Sequence, residues 1–231
     1  MNAALLHSDL FLLTATVGLY CFGSALYRRL HMPLLHPVLL TFVAMIGVLR
    51  LCGVEYVRYR EAVRVLDFGL GLSVVALGYL LYEQLDAMRG RTVPILVATL
   101  AGCVAGILSV VWIAEAFGAG RQILTSLAPK SVTVPIAVAV VEPLGGITAL
   151  TSVVVFCVGI FGSLCGDRVL GCCGVYDPHA RGFALGAAAH GIGTARAVEL
   201  GAAEGALAGV AMALMGLCTA VLLPLIEKFL Y

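Results

Sequence analysis

The chain has 231 residues, 61% of them hydrophobic and 12% charged, with a net charge of +1 and a mean hydropathy of +1.07. A water-soluble domain carries about a quarter charged residues to wet its surface, so this chain cannot clothe itself in water and lipid is the solvent left to it. The near-neutral balance supplies no basic stripe for nucleic acid and no field for an acidic partner.

A crossing helix needs roughly 20 apolar residues to traverse about 30 Å of hydrocarbon. In chain order, residues 10–27 and 30–49 are long stretches free of Asp, Glu, Lys and Arg. No Lys or Arg precedes the first, as a secretory signal requires, so 10–27 is expected to be retained as a span. Arg28 and Arg29 after it favour the cytoplasmic side, whereas Arg50, Arg58, Arg60 and Arg64 after the second argue for the opposite orientation. Tyr56 and Tyr59 within that second loop suit a stretch lying along the interface. Residues 68–82 are short and contain Gly69, Gly71 and Gly78, with Asp67 just ahead. Residues 92–114 are long enough to cross. Residues 122–141 are interrupted by Lys130 between Pro129 and Pro135, and 143–166 are again a full span. Residues 182–195 carry Gly182, Gly186, Gly191 and Gly193 and run into Arg196 and Glu199, after which 205–226 close the chain.

The expectation is therefore an all-α integral membrane protein, a single domain over 1–231 with about eight membrane segments. Three of them (68–82, 122–141 and 182–195) should be irregular or broken near mid-membrane, because Gly and Pro free backbone groups that lipid cannot satisfy. Span, short segment and span recur between halves 30–114 and 143–226, the pattern of an internal repeat, inverted if 122–141 enters and leaves on one side. The eight cysteines have no CxxC spacing and sit mostly in apolar runs, where Cys packs as a small hydrophobe. Neither a metal site nor a cofactor is expected.

Charged and polar groups inside a span mark a pathway or site. Lys130, with Ser131 and Thr133 beside it and Glu142 further on, sits where prolines expose backbone, so a polar pocket is the expectation over a snorkelling side chain. The run His190-Gly191-Ile192-Gly193-Thr194-Ala195-Arg196 lets a helix unwind at its glycines, and a half-helix starting there would aim free N–H groups at an anion. Arg196 can fork onto a carboxylate or pair with Glu199 three residues on. The glycine-rich stretch 69–73, with Asp67 ahead of it, matches the place of His190 across the repeat but offers only backbone and the Ser73 hydroxyl as support.

The strings LAPKSVTVPIA (127–137), EPLGGITALT (142–151), ARGFALG (180–186) and HGIGTARAVELG (190–201) are long, ordered and correctly spaced. Over about residues 34–226 the chain resembles the LrgB/CidB family of bacterial membrane proteins, to which a plastidic glycolate/glycerate transporter is related. The resemblance implies a multi-pass protein of the bacterial inner membrane. It implies a secondary transporter of small monocarboxylates such as pyruvate or glycolate, with Lys130, Ser131, Thr133, His190, Gly191, Gly193, Thr194 and Arg196 in the binding site, and Glu142, Glu199 and Ser73 in support. The alternative it carries is a holin/antiholin-like regulator of murein hydrolase activity and lysis, acting by assembly with a small holin-like protein of the LrgA/CidA type. A homo-oligomer is compatible with either. The family's first-half string has two prolines where this chain has Leu72 and Leu80, a departure that works against a break in 68–82. No nucleophile and base lie together and no HExxH motif occurs, so an enzyme is not expected.

Overall fold

The computed structural model describes residues 7–30, 35, 37–83 and 90–230. They form two compact units, Met1–Leu72 and Ser73–Tyr231, and their regular secondary structure is entirely helical.

The first unit holds α1 (Asp9–Leu30), α2 (Pro37–Cys52), α3 (Tyr56–Ala62) and the start of α4 (Arg64–Glu83). Leu12, Met45, Val54 and Ala62 make its small core. Gly53 ends α2 by taking φ +64, and the Val54 amide returns to the Leu49 carbonyl at 3.0 Å, the glycine-capped stop that other residues pay strain to adopt. The chain then bends by 117° into α3. Arg58 of α3 pairs with Asp9 at the start of α1, and the Tyr59 hydroxyl lies 3.2 Å from Thr16 Oγ1.

α4 is an unbroken helix through residues 68–82, contrary to the expected irregularity. Glycine weakens a helix by about 1 kcal/mol but keeps its amide donor, whereas the prolines absent at 72 and 80 would have removed one. The side chains of Asp67 and Ser73 lie outside the described residues.

The second unit contains α5 (Thr92–Ala116), α6 (Arg121–Leu127), α7 (Val134–Val141), α8 (Thr148–Cys172), α9 (Pro178–Leu200) and α10 (Ala202–Leu230). On α5 the buried residues Ile95, Thr99, Cys103, Ile107 and Val111 repeat every four positions, while Val97, Leu100, Trp112 and Ile113 are exposed. A helix apolar on its outer face as well as its inner one is built for lipid. The main core joins α5, the α6–α7 region, α8 and α10 through Ile107, Val132, Ala137, Val155 and Met215. The eight cysteines are free thiols; Cys103 is buried, with its Sγ 3.3 Å from Thr219 Oγ1.

Among the described residues, four helices (α1, α5, α8 and α10) are long and apolar enough to cross a membrane, and the bent α2–α3 pair makes a fifth if taken as one span. That is fewer than the eight segments expected from apolar stretches alone. α6 and α7, of 7 and 8 residues, rise roughly 10–12 Å each, well short of the bilayer core. α9 has the length, but it folds back on itself.

Candidate functional site

The fold of α9 follows from its small residues. Helical geometry is lost at Ala189 (φ −127, ψ 18) and His190 (φ 41, ψ −133). Beyond that point a Cβ on Gly193 would overlap the Leu185 carbonyl and the Ala189 side chain. In a straight helix, residues 185 and 193 would stand about 12 Å apart; here they touch. The two arms, Pro178 to Ala188 and Gly191 to Leu200, therefore form a hairpin whose tip is Ala189–His190.

Its neighbours agree. Along α8, Gly166 faces Leu185, Gly162 faces Ala189 and Gly159 faces the His190 ring, so the first arm runs antiparallel to α8 as far as its middle. Along α10, Gly182 meets the Glu204 backbone and Gly186 the Ala208 backbone, a parallel approach. The second arm descends antiparallel to α10: the Thr194 hydroxyl lies 3.4 Å from the Ala208 carbonyl, and Gly205 packs on Val198. Asp167 of α8 latches the base, pairing with Arg181 of the first arm and lying 4.0 Å from Arg196 of the second.

The α6–α7 segment forms a second, smaller re-entrant element from the other end of α10. Arg121 Nε donates to Glu227 at 2.9 Å, while Ile136 packs against Gly216, near the middle of α10. Between the two short helices, Ala128–Thr133 are non-helical turn. α7 then ends beside α6, because Gly146 sits between Val141 and Ser126. The Ile147 amide donates to Ser126 Oγ at 2.7 Å and Thr151 Oγ1 donates to the Ser126 carbonyl at 2.9 Å. α8 thus starts beside the last turn of α6 and ends at the base of the α9 hairpin. The two re-entrant elements enter from opposite ends of α8 and α10.

At the first tip, Lys130 is half-buried and donates to Ser131 Oγ at 3.1 Å, with its ammonium facing Gly106, midway along α5. Thr133 precedes α7 in extended backbone but its hydroxyl does not cap the helix, and that oxygen is buried without a hydrogen-bond partner. At the second tip, His190 is 5% exposed, and its Nε2 lies 2.9 Å from the Val155 carbonyl. A carbonyl only accepts, so Nε2 carries the hydrogen and Nδ1 is left as the second ring nitrogen. Thr194 Oγ1 donates to the His190 carbonyl at 2.8 Å.

The expected residues divide accordingly. Lys130, Ser131 and Thr133 share one tip, and His190, Gly191 and Thr194 the other. The backbone departs from helix at His190, not at a glycine: Gly193 serves close approach between the arms, and Gly191 is exposed. Arg196 lies at the base, bonded to Glu199 at 2.9 Å and beside Asp167, about six helical steps from the tip. Glu142 is exposed at the end of α7. Ser126, Thr151, Asp167 and Arg181 escaped the sequence reading. An Asp closing a span, followed by two arginines in a segment too charged to cross, was the available signal for the latch.

Asp177, at the foot of the hairpin, accepts from the Ala180 amide at 2.8 Å and so caps α9. That bond, aided by His179 and Arg91, holds its carboxyl below the usual carboxylate range.

Several lipid-facing spans and two opposed re-entrant elements define a multi-pass helical membrane protein. The chain belongs to the LrgB-like family, whose description matches residues 16–229, and it resides in the bacterial cell membrane. It is 35% identical to YxaC of Bacillus subtilis over 89% of each chain. It is 31% identical to the holin-like protein CidB of Staphylococcus epidermidis over 94% of each, and 32% identical to YwbG of Bacillus subtilis over 93% of this chain and 96% of that one. No solved structure matches it.

Proposed function

We propose that the two tips bound one anion site, and that the chain is a secondary transporter of small monocarboxylates such as pyruvate or glycolate. The observation that carries this reading is His190: a buried, non-glycine residue held at φ 41 at a hairpin tip midway along α8. Such a conformation costs about 1–3 kcal/mol and persists where the surroundings enforce it, as at ligand sites. Both second arms, α7 and the Gly191 to Leu200 arm, begin at the tips, so their N-terminal amides supply partial positive charge there. Lys130 adds a full one. The hydroxyls of Ser131, Thr133 and Thr194 and the His190 ring complete the binding set. Gly193 holds the arms together, Arg196 and Glu199 serve the latch at the base, and Glu142 and Ser73 remain outer support. An α6–α7 segment that enters and leaves on one side is the condition under which the halves 30–114 and 143–226 are inverted repeats.

A second reading is holin-like: assembly with a small membrane partner of the LrgA/CidA type, or with further copies of the chain, to control murein hydrolases and lysis. The naming of the staphylococcal relatives as holin-like proteins favours this reading more directly than transport; the tip geometry is what favours transport. Uptake of radiolabelled pyruvate, glycolate and lactate into proteoliposomes, with and without a pH gradient, separates them when run beside release of an entrapped large dye. Saturable uptake without dye release supports the transporter. Dye release with no preference among solutes supports the holin-like assembly.

A further inference from the structure

Away from both tips, the first unit carries an open groove of about 470 Å³ between α1 and α2, walled by Val17, Tyr20, Phe42 and Met45 among others. At one end it runs into a second cleft of about 520 Å³ at the α2–α3 bend, lined by Arg50, Gly53, Val54 and Glu55. Ile46, Leu49 and Tyr56 line both, so the two adjoin: an apolar groove with a charged cleft at its mouth. From Val38 to Leu49 the wall extends roughly 16 Å at ~1.5 Å per residue, about half of the ~30 Å hydrocarbon core and so the depth of one leaflet. The mouth lies where α2 ends and the chain turns by 117° into α3, a helix with Tyr56 and Tyr59, the residues that favour the headgroup level.

The charges at the mouth decide what fits. Arg58 is already committed to Asp9 and Glu61. Among the described residues, Arg50 and Glu55 make no ion pair with each other or with any third group, although both line the same cleft. A ligand with one apolar tail, a phosphate and a primary ammonium satisfies all three features at once. The geometry points to a site for a phosphatidylethanolamine molecule, with an acyl chain along the α1–α2 groove, its phosphate on Arg50 and its ammonium on Glu55. A purely anionic lipid would satisfy Arg50 and be repelled by Glu55. A second copy's helix would fill the groove and leave the two unpaired charges at the mouth unused.

Native mass spectrometry of the full chain, released from detergent micelles supplied with equal phosphatidylethanolamine and phosphatidylglycerol, tests this. The expected result is one retained phosphatidylethanolamine per chain, preferred at least fivefold over phosphatidylglycerol. Glu55→Gln should abolish the preference while leaving phosphatidylglycerol binding intact or stronger, Arg50→Gln should weaken both lipids, and Thr41→Trp, which fills the groove, should displace both. Circular dichroism melting checks that each variant is folded, and the milder Thr41→Leu replaces Thr41→Trp if that one is not. Equal retention of the two lipids by the wild type, an unchanged preference in folded Glu55→Gln, or a lipid-free dimer would overturn the assignment.

Discussion

Replacing His190 by alanine and by glycine gives opposite answers depending on whether that position is strained or simply helical. The wild-type residue sits at φ 41, ψ −133, is 5% exposed, and holds a 2.9 Å bond to Val155 with its ring against Gly159. Both variants lose the hydrogen bond, roughly 0.5–1.5 kcal/mol, and the buried ring, a large-to-small change costing about 2–5 kcal/mol. They differ in backbone. Alanine keeps the positive-φ strain of about 1–3 kcal/mol and glycine sheds it. His190→Gly should therefore be the more stable of the two by ~1–3 kcal/mol. In a regular helix interior the order reverses, with alanine ahead by about 1 kcal/mol. Denaturation by SDS titration in mixed micelles, followed by far-UV circular dichroism, measures the difference. Alanine equal to or ahead of glycine would refute the hairpin tip and return α9 to a continuous helix.

Gly186→Ala places a methyl on the Ala208 backbone and Gly182→Ala on that of Glu204; backbone cannot yield as a side chain can, so each should cost about 1–3 kcal/mol or more, and wild-type stability in the same titration would exclude the close approach. Asp167→Asn unlatches Arg181 and Arg196; a loss of ~1.5–3 kcal/mol is expected, the range for hydrogen bonds to charged groups, with faster proteolysis near residues 173–177 as its local readout. In the proposed transporter, Lys130→Ala and His190→Ala should abolish carboxylate uptake while leaving membrane insertion intact, and Lys130→Arg should rescue poorly because a planar guanidinium does not replace a compact ammonium; wild-type uptake by both alanine variants favours the holin-like reading. Asp177 has a lowered folded-state pKa, so its stabilisation is present above the unfolded value and disappears as pH falls through the folded one; wild type and Asp177→Ala should differ in melting temperature at neutral pH and converge in acid, and a gap that persists in acid would assign the effect to something other than the charged cap.

Composition alone determined the solvent, because a 12% charged chain has no other way to cover its surface. The long apolar stretches located α1, α5, α8 and α10 to within six residues at each end, since the length of a span is set by the bilayer itself. Lys130 and the prolines around it located the break between α6 and α7, a local consequence of lost amide donors. The sequence misjudged α4, where glycines suggested irregularity that they are too weak to impose without proline. It also gave eight membrane segments where four or five of the described helices can cross, because charge-free length does not tell a crossing helix from one that turns back. Only the tertiary structure decided that 178–200 turns back at His190. The turn depends on glycines at 159, 162, 182, 186 and 193 admitting α8, α10 and the opposite arm to near backbone contact, and on Asp167 joining arginines fifteen residues apart. Those pairings link distant parts of the chain, and no local pattern of hydropathy or helix propensity records which glycine will face which backbone.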